Sequence, residues 1–113
     1  MKEEANSPFL RTVPREKAFY FFTSVGNYTG ENATSFKEFL ERIGEVNVKS
    51  LEFHLYRGDL EKWVTEVLED NKLAEEIGRL QKSSLSGEPL RSQLYATVQK
   101  RYRILTDSFS QFR

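Results

Sequence analysis

Apolar side chains between residues 60 and 69 recur every three or four positions, which is the spacing of one face of an α-helix. The other side of this segment is mainly charged, so the pattern predicts an amphipathic helix over Leu60–Glu69. The residues of its apolar face are Leu60, Trp63, Val64, Val67 and Leu68.

The same spacing predicts two more helices in the C-terminal part of the chain. One covers residues 71–81 behind Asp70, a residue type that caps helices well. The last helix opens at Glu88-Pro89, because proline is tolerated in a first helical turn, and extends for roughly 20 residues. Its apolar stripe consists of Leu90, Leu94, Val98, Tyr102, Leu105, Phe109 and Phe112.

Two helices are also predicted in the middle of the chain. Ser35–Glu38 fits a capping box, so a helix begins near Ser35 and ends near Glu45. The next segment, residues 48–57, is ambiguous, because its apolar positions fit both the alternation of a strand and the period of a helix. We favour a helix, since Gly58 stands where a C-cap belongs and Asp59 where the next N-cap belongs.

Strand patterns dominate the N-terminal part. Ala18–Thr23 is rich in aromatic residues, which suits a strand, and its successive apolar positions predict burial on both faces. Gly26-Asn27 predicts a turn, with Tyr28-Thr29 pairing back as a second strand. A further short strand is predicted over Phe9–Val13, whereas residues 1–7 are polar and predicted to be disordered.

These elements predict an α+β fold, mostly α, in which four to five helices pack with a small N-terminal β-hairpin. The chain has 113 residues, close to the commonest domain size, so residues 8–113 are expected to form a single globular domain. Its nine phenylalanines, five tyrosines and single tryptophan supply large apolar areas for a core.

Composition excludes several classes of function. The chain has 17 basic and 17 acidic side chains and no cysteine, which excludes a disulfide framework, a thiolate nucleophile and a cysteine-based metal site. The first residues are charged and lack the apolar region of a signal peptide, and no apolar run approaches the roughly 20 residues of a membrane span. We therefore expect a cytoplasmic protein without a membrane partner.

Six short motifs lie in order between residues 18 and 103: Phe21-Phe22-Thr23, Gly26-Asn27-Tyr28-Thr29-Gly30, Leu51 to Asp59, Glu61-Lys62-Trp63-Val64, Leu73-Ala74 and Leu90-Arg91. In this order they resemble an uncharacterised prokaryotic family, prominent in archaea, known as domain of unknown function 5752. Its most specific part matches His54–Trp63, although this chain has Asp59-Leu60 where the family typically shows Asp-Phe. The resemblance implies a small, mostly helical, intracellular domain and implies no activity.

The only histidine, His54, is the one candidate for acid–base chemistry near neutral pH. The favoured interpretation is a buried or half-buried histidine that hydrogen-bonds a neighbouring group. The alternative is a small polar pocket in which His54, Tyr56, Arg57 and Asp59 bind a ligand. No catalytic residue, metal site or cofactor is predicted, because the chain lacks a nucleophile motif, a phosphate-binding loop and the usual zinc ligand set.

Basic residues are concentrated near the C-terminus, which raises a nucleic-acid hypothesis. Residues 1–78 hold 10 basic and 15 acidic side chains, whereas residues 79–113 hold 7 and 2. Lys100, Arg101 and Arg103 are the candidate phosphate contacts. The isoelectric point of about 6.6 argues against this use, and the alternative is that the basic helix docks on the acidic ones.

Aromatic side chains outside the expected core raise a further hypothesis of self-association through Tyr28, Phe109 and Phe112. The favoured interpretation is a non-enzymatic interaction or regulatory domain with a protein partner. The first alternative is a ligand-binding domain or an enzyme with a pocket around His54 and Asp59. The second alternative is nucleic-acid binding through the basic C-terminal helix.

Overall fold

A computed structural model describes residues 8–110 of the protein, which form a two-stranded antiparallel hairpin followed by five helices. The fold is therefore α+β and mostly helical, as predicted. The predicted disorder of residues 1–7 lies outside the described residues, and the single domain over 8–113 stays a prediction. The strands are β1 (Phe19–Ser24) and β2 (Asn27–Ala33), and the helices are α1 (Phe36–Glu45), α2 (Val48–Arg57), α3 (Asp59–Trp63), α4 (Asn71–Gln81) and α5 (Gly87–Ser110).

The hairpin has one buried and one open face. Phe19 and Phe21 of β1 are buried, whereas Tyr20 points outward and Phe22 is half-buried. The expected burial of both faces is therefore wrong: the helices cover the sheet on one side only, and the strand alternates with period two. Gly26 turns the chain with a φ of 85°, a left-handed conformation that suits glycine.

The predicted strand over Phe9–Val13 is also wrong. Pro8–Leu10 forms a 3-10 turn, and a second 3-10 turn covers Arg15–Lys17. The segment makes a single sheet-like hydrogen bond, from the Val13 N–H to the Thr34 carbonyl at 2.7 Å. Side-chain contacts hold this segment to the rest of the protein instead. High β-propensity alone does not produce a strand where no neighbouring strand offers backbone hydrogen bonds.

Local capping explains why α1 and α2 have the boundaries that the sequence predicts. Ser35 accepts a hydrogen bond from the Glu38 N–H at α1, and Asn47 accepts one from the Lys49 N–H at α2. Gly58 ends α2 with a φ of 84°, in the left-handed region that favours glycine at a helix C-terminus. The ambiguous segment 48–57 is therefore a helix.

The helix predicted over Leu60–Glu69 is only partly α-helical. After α3 the chain continues as a π-helical segment, Val64–Leu68, and ends at Glu69 with a φ of 62°. The Asp70 N–H donates to the Val64 carbonyl at 3.2 Å, closing a wider turn than an α-helix would. The wide turn brings Asp70 inward, where it is buried.

The last helix, α5, braces the core. Its residues Leu90, Leu94 and Val98 are fully buried, and it packs on α1, α2 and α4. Near its C-terminal half, Arg101 forms a bidentate pair with Asp70, through Nε at 2.8 Å and Nη2 at 3.0 Å. This pair joins α5 to the start of α4. The hairpin packs elsewhere, where α2 meets α3.

Candidate functional site

A cavity of about 440 Å³ opens between the hairpin and the corner formed by α2 and α3. We call it the hairpin cavity. The buried rings of Phe19, His54 and Trp63 line its floor, and Phe22 and Phe53 line its sides. Its wall on the hairpin side is largely uncharged, whereas the wall on the α2–α3 side carries charged residues at its mouth.

The rings of the floor hold one another in place by edge-to-face contacts. The ring centre of Phe19 lies 4.8 Å from that of His54 and 5.7 Å from that of Trp63. The indole Nε1–H of Trp63 donates to the Lys17 carbonyl at 2.7 Å, which ties α3 to the segment before β1. The indole N–H therefore has its hydrogen-bond partner within the chain, and the apolar part of the ring lines the cavity.

His54 links the hairpin to the start of α3 through both ring nitrogens. Its Nε2 accepts a hydrogen bond from the Phe22 N–H at 2.8 Å, and its Nδ1 lies 2.7 Å from Oδ2 of Asp59. Because Nε2 accepts, we assign the proton of the neutral ring to Nδ1, which donates to Asp59. The residue is only 5% exposed.

Burial decides the charge of His54. Removal from water lowers the pKa of the imidazole, and the Asp59 carboxylate, which acts in the opposite direction, does not fully offset this effect. Protonation would also place a hydrogen on Nε2, where the Phe22 N–H already points. His54 is therefore neutral at neutral pH and has no lone pair free for a substrate.

We expect the stability of the protein to fall as the pH drops below 6.5, the ordinary pKa of histidine. In this range the unfolded chain binds a proton at His54 that the folded chain does not, so the free energy of unfolding decreases toward the lower, folded pKa. Urea denaturation between pH 5 and 7 would measure the slope.

The charged group nearest His54 is the pair of Arg57 and Asp59. Arg57 Nε lies 3.4 Å from the same Oδ2 of Asp59 that accepts from His54. The guanidinium carbon lies 4.8 Å from the ring centre of Phe53, so the cation is stacked on an aromatic face. Lys62 and Glu66 also reach the mouth, and neither forms an ion pair with the described residues.

The model of a family of unknown function, DUF5752, matches residues 15–109. The chain belongs to the DUF5752 family. Searches of curated proteins and of solved structures found no match. The residues that line the hairpin cavity all lie within the part of the chain that matches the family. The family assignment carries no activity.

This DUF5752 domain brings three of the four predicted ligand residues together. His54, Arg57 and Asp59 line the hairpin cavity, whereas Tyr56 does not. The Tyr56 hydroxyl lies 2.6 Å from the Leu85 carbonyl, and so ties α2 to the loop before α5. Two positions along a helix correspond to about 200° of rotation, which places Tyr56 away from the face of His54.

The sequence did not predict the aromatic floor of the hairpin cavity or some of the residues at its mouth. Lys62, Trp63 and Glu66 follow Asp59 at helical spacing, so a helical projection from Asp59 would have placed them on one face. Phe19 and Phe22 left no such signal, because only the packing of β1 on α2 brings them to the cavity.

The three basic residues considered for nucleic acid do not share one open face. Arg101 is held by Asp70, and its guanidinium also lies 5.8 Å from the ring centre of Phe9. Lys100 and Arg103 are exposed. Contact of these two residues with nucleic acid stays a prediction, while the side chain of Arg101 is engaged within the fold.

Residues 8–110 also lack the features of two other classes of site. No group of three or more His, Asp or Glu side chains in this part of the chain is arranged to hold a metal ion. None of its helices combines the length and apolar character that crossing a bilayer requires. A second, more polar hollow beside β2 is lined by Asn27, Glu31, Glu45 and Asn47 among others.

Proposed function

We propose that this DUF5752 protein is a non-enzymatic binding domain that holds a small, largely apolar ligand in the hairpin cavity. The observation that carries the proposal is the aromatic floor of Phe19, His54 and Trp63 beneath an open mouth. Small-molecule sites are concave, mostly apolar and about 300–1,000 Å³ in volume, with a few polar groups at defined places. The cavity of about 440 Å³ fits this description.

The hydrogen bonds of the floor support the non-enzymatic part of the proposal. A general base needs a free lone pair within reach of the substrate proton. Both nitrogens of His54 and the indole N–H of Trp63 are already engaged within the chain. These groups therefore shape the cavity, and the enzyme alternative around His54 would first have to break the bond to β1.

The test is a titration of the full chain with small aromatic alcohols and amides, followed by amide NMR shifts. We expect shifts clustered on residues 19–26 and 53–67. Val67→Phe places a ring in the volume that the ligand would occupy. It should raise the dissociation constant obtained from these shifts at least about tenfold. Ile104→Phe, at an exposed position of α5, is the matched control and should leave binding unchanged.

Absence of shifts with every compound, or shifts that cluster away from the hairpin cavity, would contradict the proposal. Equal binding by the wild type and Val67→Phe would contradict it as well. The spectrum of each variant shows directly whether the fold is kept, so loss of binding is separated from loss of structure.

Association with a protein partner, here a second copy of the chain, is a second candidate function. It is favoured by the exposed apolar groups of the hairpin and its turn: Val25 is 82% exposed, and the rings of Tyr20 and Tyr28 lie 5.8 Å apart. Tyr20 and Val25 also line the edge of the hairpin cavity. Exposed apolar groups of this kind often mark interaction sites. Phe109 and Phe112, also considered for this role, lie outside the described side chains.

Light scattering at increasing concentration tests the second candidate. A dimer mass that returns to the monomer value in a Val25→Ser, Tyr28→Ser variant would support it, because the variant removes the exposed apolar groups of the turn. A monomer mass throughout the concentration range would reject it. The cytoplasmic location expected from the sequence stays a prediction.

A further inference from the structure

The mouth of the hairpin cavity presents a cation that contacts two neighbouring side chains. Arg57 is stacked on Phe53 at 4.8 Å and its Nε faces Oδ2 of Asp59 at 3.4 Å. Its terminal nitrogens, Nη1 and Nη2, make no hydrogen bond with the described residues, and its side chain is 52% exposed. A guanidinium held in this way is preorganised to bind a planar anion through two parallel hydrogen bonds.

Besides Arg57, the mouth carries a second cation and two carboxylates. Asp59 accepts a hydrogen bond from the neutral ring of His54 and lies 3.4 Å from Nε of Arg57, so the guanidinium offsets part of its negative charge. Lys62 adds a second cation one turn further along. Glu66, the second carboxylate, lies seven positions after Asp59, in the π-helical segment.

We infer that the ligand class of the hairpin cavity is a small monocarboxylate with a flat apolar body. The carboxylate pairs with the terminal nitrogens of Arg57, and the apolar body lies against the rings of Phe19 and Trp63. This inference rests on the proposed function, since it assigns the chemistry of the ligand that the same cavity holds. No covalent step is involved, and the ligand leaves as it enters.

Three probes with the same ring and chain length test the inference: 3-phenylpropionate, 3-phenylpropionamide and 3-phenylpropylamine. They differ mainly in charge at the end of the chain. We expect the carboxylate to bind at least about tenfold more tightly than the amide, because charge-assisted hydrogen bonds are roughly twice as strong as neutral ones. The amine should bind most weakly. Amide NMR shifts of the full chain give the dissociation constants.

Variants at Arg57 show whether this residue provides the preference. Arg57→Gln should reduce the ratio of carboxylate to amide affinity to about one, and Arg57→Lys should keep part of it, since lysine retains the charge but not the planar fork. Arg103→Gln removes an exposed cation of α5 outside the cavity and is the matched control. It should leave the ratio unchanged.

The outcomes separate the two proposals. If the amide or the amine binds as tightly as the carboxylate, or if Arg57→Gln keeps the preference, the inference is overturned while the binding function stands. If none of the three probes shifts residues of the hairpin cavity, and neutral aromatic compounds also fail, the proposed function falls with it.

Discussion

Replacing His54 with alanine is expected to lower the free energy of unfolding by about 3 kcal/mol or more. The substitution leaves the Phe22 N–H without its acceptor and Asp59 without its donor. It also removes a ring that packs against Phe19 at a ring-centre distance of 4.8 Å, at a site that is 5% exposed. Loss of a buried side chain and loss of a buried hydrogen-bond partner each cost a large part of a small domain's stability.

Urea denaturation at pH 7 measures this change. Tyr56→Phe, two residues further on α2, is the matched control, because it removes only the hydroxyl that lies near the Leu85 carbonyl. We expect the control to cost about 1 kcal/mol. A His54→Ala variant as stable as the control would show that the imidazole is not a structural link between the hairpin and α3.

The second large effect is expected at Asp70, which is 1% exposed and carries two roles. Its carboxylate accepts from the Leu73 N–H at the start of α4 and holds both donors of Arg101. Asp70→Ala should cost about 3–5 kcal/mol, since breaking a buried ion pair leaves the partner's charge uncompensated. Loss of the helix cap adds to this cost.

The ion pair of Glu88 with Arg91 provides the comparison for Asp70. Glu88 is largely exposed and lies 2.9 Å from Arg91, so Glu88→Ala should cost less than about 1 kcal/mol. Thermal or urea denaturation of the two variants distinguishes a buried pair from an exposed one. Equal losses in both variants would contradict the structural role assigned to Asp70 and Arg101.

Sequence reasoning succeeded where the signal is local. Gly58 marks the end of α2 because only a left-handed residue closes that helix there, and Asp70 marks the start of α4 because its side chain caps the helix. These interactions lie within a few residues of one another along the chain. The helices bounded by these two residues could therefore be predicted to within a residue.

The same reasoning failed where the deciding contact is distant. Phe22 meets His54 across 32 positions of sequence, and Arg101 meets Asp70 across 31. A buried, hydrogen-bonded His54 was among the interpretations of the sequence, but neither its bond to Phe22 nor the pairing of Arg101 with Asp70 follows from periodicity. The π-helical turn of residues 64–68 was missed because an apolar pattern alone does not distinguish an α from a π turn.

The hairpin cavity depends on His54 being a neutral structural link and not a reacting group. A long-range proton–nitrogen NMR spectrum of the histidine ring, followed through a pH titration, tests this most directly. The structure predicts a ring protonated at Nδ1 and bare at Nε2 at neutral pH, with a pKa below 6.5. A ring protonated at Nε2, or a pKa above 6.5, would contradict it.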